Sequence, residues 1–150
     1  MTQTKSKTQT TTKAPNAKAL KKAKAKGALI VLVTGSREMD NYAYLEKVLN
    51  GYKIGGIVHG DAKGADKLAQ KWADQNDVLT QRHPVTDAQW KKLGLKAGIL
   101  RNQFMLDEHP TISLVIAFPV MGSRGTADMM QRACQKTIDV HVYTAHGCSK

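Results

Sequence analysis

Cysteine is nearly absent from this chain. Cys134 and Cys148 are the only two among 150 residues, too few for a disulfide framework, and Cys148 lies close to the chain end, where order is least expected. That usage fits a reducing compartment and a cytoplasmic protein. Long apolar runs are missing as well. Nothing approaches the roughly 20 residues needed to span a bilayer, and the lysine-containing start has no apolar segment of the signal-peptide kind. The composition therefore predicts no membrane association. The five histidines, His59, His83, His109, His141 and His146, show no metal-ligand spacing, so no metal or other cofactor is expected. Only His59 falls in a loop of interest. Acid is missing from one region alone. Residues 1–27 carry eight lysines and neither Asp nor Glu, so of the net charge of +11 only +3 belongs to residues 28–150.

That asymmetry sets the domain organisation. Residues 1–17 hold Thr, Gln, Lys, Ala and one Pro, with no large apolar residue after Met1. Such a segment buries too little surface to offset its ordering entropy. Residues 18–26, KALKKAKAK, favour a fraying helix opposed by like charges. Residues 1–27 thus read as a disordered Lys-rich tail and 28–150 as one domain. The tail is either a solubilising extension or an electrostatic arm making weak nucleic-acid contacts. No aromatic residue interleaves its lysines to stack on bases.

From residue 28 the hydrophobic pattern alternates between two periods. ALIVLV (28–33) is a run suited to a strand buried on both faces. GGIVHG (55–60), VLTQRH (78–83), TISLVIAF (111–118) and IDVHVY (138–143) read as further strands. Between them lie helical patterns: Tyr42, Leu45, Val48 and Leu49; Leu68, Ala69, Trp72 and Ala73; residues 87–107, interrupted near Gly94 and Gly98; and 123–135. Alternating strands and helices predict an α/β, Rossmann-like three-layer domain with a mainly parallel sheet of about five strands.

Parallel strands put their carboxyl ends on one edge, where open α/β sheets bind ligands. Three Gly-rich turns converge there: Gly35, Ser36 and Arg37; Gly60, Asp61, Gly64 and Asp66; Gly122, Ser123, Arg124, Gly125 and Thr126. Glycine admits a close ligand approach. Helix starts offer free N–H groups to an anion, and arginine presents a planar fork matched to phosphate. Each turn alone also suits an ordinary strand-to-helix connection, so Ser36, Ser123, Thr126, Asp61 and Asp66 have helix capping as the competing role. Gly98, inside a helical pattern, costs about 1 kcal/mol relative to Ala, which a close contact would justify. Arg101 and Asn102 follow it, placed either to reach the same edge or to form a local salt bridge or cap. Trp72 reads as core, and Trp90 as core or a wall of the ligand site. No Ser-His-Asp or Cys-His arrangement can be argued from the spacing.

These motifs, in this order, resemble the YspA-like, YpsA-related family of the SLOG superfamily. VTGSR (33–37), HGDAKGADKLAQKWA (59–73), PVTDAQW (84–90), KAGILRNQFML (96–106) and LVIAFPVMGSRGTADMM (114–130) carry the resemblance, which covers Ile30 to Tyr143. It implies a Rossmann-like fold and a pocket for a nucleotide-related ligand, lined by Gly35, Ser36, Arg37, Gly60, Asp61, Gly64, Asp66, Arg101, Asn102, Gly122, Arg124, Gly125 and Thr126. Lonely Guy phosphoribohydrolases share the scaffold, as does the DNA-processing protein DprA, so fold alone does not fix function. Two departures stand out. The usual Gly-Gly-Arg-Gly-Thr turn has Ser123 in second place, and the catalytic glutamate of Lonely Guy enzymes aligns with Met129. That substitution favours a binding or sensing module over a nucleotide hydrolase acting on an N-glycosidic or phosphoester bond through Asp61, Asp66 or Asp128. A third reading is nucleic-acid binding through the lysines. A homo-oligomer is compatible with all three, and a prokaryotic or phage source fits the size.

Overall fold

The computed structural model describes residues 14–120 and 123–144. Its centre is β1 (Leu29–Gly35). Strands β2 (Ile54–His59) and β4 (Leu114–Phe118) flank it, and β3 (Leu79–Arg82) and β5 (Asp139–Val142) form the edges. The order is β3-β2-β1-β4-β5, with every pairing parallel. The parallel sheet of about five strands in a three-layer domain, expected from the pattern, is the one found.

β1 is apolar from Leu29 to Val33 because both of its faces are covered. Val31 and Val33 join Ile57, Ile116 and Phe118 on one face, under α2 (Tyr42–Leu49) and α3 (Ala65–Gln75). Ile30 and Leu32 join Val58 and Val115 on the other, under α1 (Ala14–Ala25), α5 (Lys96–Glu108) and α6 (Arg124–Gln135). Period-2 alternation inside a continuous apolar run is what a two-sided core requires. Trp72 is core, with its indole N–H donating to Asn50.

Two expectations need correction. The first concerns the start of the domain. Residues 1–13 lie outside the described residues, but 18–26 do not form a separate fraying segment. Leu20 of α1 is completely buried in the second core, while Lys18, Lys21, Lys22, Lys24 and Lys26 remain exposed. β2 is shaped to receive this helix. A methyl group on Gly56 would collide with the Leu20 side chain, and one on Gly55 would press on Ala23 and Ala28. One leucine among lysines carries too little periodic signal to reveal such docking from the sequence.

The second concerns residues 87–107. The break falls at Gly94, which ends α4 (Asp87–Leu93) with φ of 60°. Gly98 does not interrupt anything; it lies in the first turn of α5.

Candidate functional site

The carboxyl ends of β1 and β4 are neighbours, Gly35 pairing with Phe118. The chain leaves β1 toward α2 on one face and leaves β4 toward α6 on the other. This divergence opens a crevice at the sheet's topological switch point. A cavity of about 420 Å³ occupies it.

The floor of the cavity is the turn after β1. The Ser36 amide donates to the Phe118 carbonyl (3.1 Å), and the Ser36 hydroxyl accepts from the Glu38 amide (3.0 Å). Arg37 leaves this turn exposed, its guanidinium 5.4 Å from the Trp90 ring centre. Contrary to the sequence expectation, the turn does not open a helix. α2 starts only at Tyr42, with Asn41 accepting from the Tyr44 amide as its cap.

Gly64 supports the turn from beneath. Its φ is 90°, and a Cβ there would strike the Ser36 carbonyl and the Arg37 backbone. Gly64 is therefore structural, as is Gly60, against which the Arg101 guanidinium lies. Arg101 donates to the carbonyls of Gly60 (2.6 Å) and His83 (3.2 Å).

The opposite wall is the first turn of α6. Among the described residues no side chain caps its N-terminus. The Ser123 hydroxyl instead donates to the Val120 carbonyl (2.6 Å) and accepts from the Val120 amide (3.1 Å). Uncapped first-turn N–H groups leave a site of positive potential. Arg124 stands exposed beside it, and Thr126 is buried. Asn102 ties this helix to α5, donating to the Gly125 carbonyl (3.2 Å) and the Asp128 carboxylate (3.1 Å).

Of the residues singled out from the sequence, Gly35, Ser36, Arg37, Asp66, Arg101, Asn102, Ser123, Arg124, Gly125 and Thr126 line this cavity. Gly60, Asp61 and Gly64 do not, and Gly122 lies outside the described residues. Asp128 is turned away, its carboxylate held by Arg132 at 2.8 Å and by Asn102. Met129 is fully buried in the core. The sequence reading missed Leu95 and Ile99, which line the cavity and are exposed. Their spacing of four, with no core contact to occupy them, was the available signal. Trp90 is a wall of the cavity and not core.

Asp66 serves neither as helix cap nor as surface charge. Its carboxylate accepts from the amides of Gly60 (3.1 Å) and Ala62 (3.2 Å), closing the turn after β2. Burial raises its pKa above the ordinary carboxylate value, and His59 and the Ala62 amide oppose the rise.

His59 is completely buried behind this turn. Its Nδ1 accepts from the Asp61 amide (2.9 Å), so its Nε2 carries the hydrogen and donates to Gln70 Oε1 (2.7 Å). Gln70 is oriented by its own amide, which donates to Asp74 (2.8 Å). Both ring nitrogens are thus committed to the neutral tautomer, and burial lowers the pKa of His59. Since the folded value lies below the unfolded one, the stabilisation is complete above about pH 6.5 and is lost as pH falls through the folded value. NMR of the His59 ring is expected to show the Nε2–H tautomer persisting below pH 6.5. Titration of this ring at the ordinary value, with no change in melting temperature, would contradict the network.

Among the described residues no group of three His, Cys, Asp or Glu side chains is placed to hold a metal ion. No described helix is long and apolar enough to cross a membrane.

The sequence profile of the YspA, cpYpsA-related SLOG family matches residues 29–92. This span runs from β1 through the turns after β1 and β2 to α4. A protein of Mycobacterium phage D29, Gene 61 protein, is 35% identical, the match covering 73% of this chain and 92% of the relative. No solved structure matches the chain.

Proposed function

This chain belongs to the YspA, cpYpsA-related SLOG family, and from that premise we propose that it is a binding or sensing module for a nucleotide or nucleotide-derived phosphate ligand. The observation that carries the reading is the convergence of Arg37, Arg124 and the uncapped first turn of α6 on one cavity at the switch point. Arginine forks and free helix N–H groups are complementary to phosphate oxygens. Trp90, Leu95 and Ile99 supply the apolar wall that orients the rest of a small molecule.

A second reading rests on Asp66. It is an acid with a raised pKa whose side chain borders the cavity, which is what a general acid in nucleotide hydrolysis would require. One experiment separates the two. The full chain is titrated with a nucleotide panel, melting temperature is followed, and nucleobase and sugar products are measured by chromatography. A ligand that binds only the folded state raises the melting temperature by mass action. The binding reading expects stabilisation without products, weakened at least tenfold by Arg124→Ala, the loss of a charge-assisted contact. Hydrolysis expects products that vanish in Asp66→Asn, a variant whose amide oxygen can still accept from Gly60 and Ala62. No stabilisation by any nucleotide would overturn both readings.

A further inference from the structure

α5 carries more apolar surface than its core contacts use. Met105 and Leu106 face the sheet and are buried, yet Ile99, Leu100 and Phe104 are exposed, Phe104 to 44%. Ile99 borders the cavity described above. Leu100 and Phe104 border another, of about 770 Å³, that lies toward β3 and α4. α5 thus runs between two concave sites.

The two cavities adjoin. Arg101 lines both. Ala62 lines the first and its neighbour Asp61 the second. The reversal between these adjacent residues follows from backbone geometry. Asp61 has a φ of 56°, the left-handed region that Asp tolerates better than most side chains. A hydrogen bond from its backbone amide to His59 Nδ1 holds this conformation. Asp61 lines the second cavity, and Lys67 holds one of its carboxylate oxygens at 2.8 Å. An acid held in a sparsely populated conformation at a cavity edge has a placement that turn formation alone would not select, since glycine would serve the turn better.

The second cavity is chemically different from the first. The Phe104 and His83 rings meet at a steep angle, with centroids 5.4 Å apart, and the exposed Phe104 and Leu100 side chains give this cavity an apolar platform. The Asp61 carboxylate is an acceptor on the same rim. A flat ring that carries an amine satisfies both: the ring covers the platform and the amine donates to Asp61.

We infer that one ligand occupies both cavities, its phosphate in the first and an amine-bearing nucleobase in the second, with Arg101 under the sugar that joins them. This rests on the phosphate reading above and extends it to the second cavity, making the ligand at least a whole nucleotide and not a phosphorylated sugar.

The test uses the full chain and three probes measured by calorimetry: ribose 5-phosphate, adenosine 5′-monophosphate and inosine 5′-monophosphate, the last lacking the exocyclic amine. The adenine nucleotide is expected to bind tightest. Phe104→Ala should weaken it about tenfold, as removal of a base-stacking aromatic does, and leave ribose 5-phosphate unchanged. Asp61→Gly keeps the left-handed backbone and removes the carboxylate, so it should abolish the preference for adenine over hypoxanthine. Adenine nucleotide binding that is weakened by Arg124→Ala and Trp90→Ala but not by Phe104→Ala would overturn the inference, placing the base in the first cavity, and leave the phosphate reading intact. Failure of all three probes to bind the parent chain would overturn the phosphate reading and the inference with it.

Discussion

Gly64→Ala is expected to destabilise the domain by about 2–6 kcal/mol, the sum of a backbone conformation that L-residues avoid and a collision inside a packed turn. The added Cβ would overlap the Ser36 carbonyl and the Arg37 backbone. Neither can retreat easily, because the Ser36 amide is bonded to β4 through Phe118 and the Ser36 carbonyl accepts from Met39 and Ala65. Gly94→Ala separates the two contributions. Gly94 also has a positive φ, but a methyl group there meets nothing within 4 Å, so it should cost only the backbone share, about 1–3 kcal/mol. Urea denaturation of the two variants measures the difference. Equal losses would mean that the turn after β1 is free to shift, and that the floor of the cavity is not held from below.

The other large effect is expected at the amino-terminal helix. Leu20→Ala should destabilise by about 2–5 kcal/mol, as for other fully buried leucines. It empties the space that Gly56 leaves on β2. Replacing Lys18, Lys21 and Lys22 together with Gln should change stability little, because all three are exposed. The contrast bears on any deletion that starts the chain at residue 28. Such a deletion removes eight positive charges and part of the core at once, so loss of polyanion binding after it would not by itself assign that binding to charge. The triple Gln variant isolates the electrostatic share, read as a shallower dependence of binding on salt. If Leu20→Ala melts at the parent temperature, α1 does not contribute to the folded body.

The sheet was readable from the sequence because a two-sided parallel core writes itself as consecutive apolar residues, as in Ile30, Val31, Leu32 and Val33. The convergence of turns on one edge then follows from parallelism alone. Two features resisted. α1 docks through Leu20 and Ala23, and its partner signal, Gly55 and Gly56, reads as weak strand and not as a socket. Side-chain direction at the turns was also hidden. Asp61 and Asp66 are equivalent as letters, yet the left-handed backbone at Asp61 sends it to one cavity, while Asp66, five residues on, points back to fasten Gly60 and Ala62. Ser123 looked like a helix cap and bonds to Val120 instead. Such choices depend on backbone angles that no periodicity encodes.

β1 lies at the centre of the sheet but is made first. One of its partners, β2, follows within 25 residues, while the other, β4, begins at Leu114. During synthesis, β1 therefore waits with one edge unpaired and with Ile30 and Leu32 only partly covered, until about 80 more residues have been added. Pairing across that separation is a late, slow event compared with the local units that precede it. The cavity inherits this timing, because its two walls are the turn after β1 and the start of α6, Arg124 to Thr126. A nascent chain has nothing with which to grip a ligand until its sheet is closed at the centre, so ligand capture reports a finished molecule.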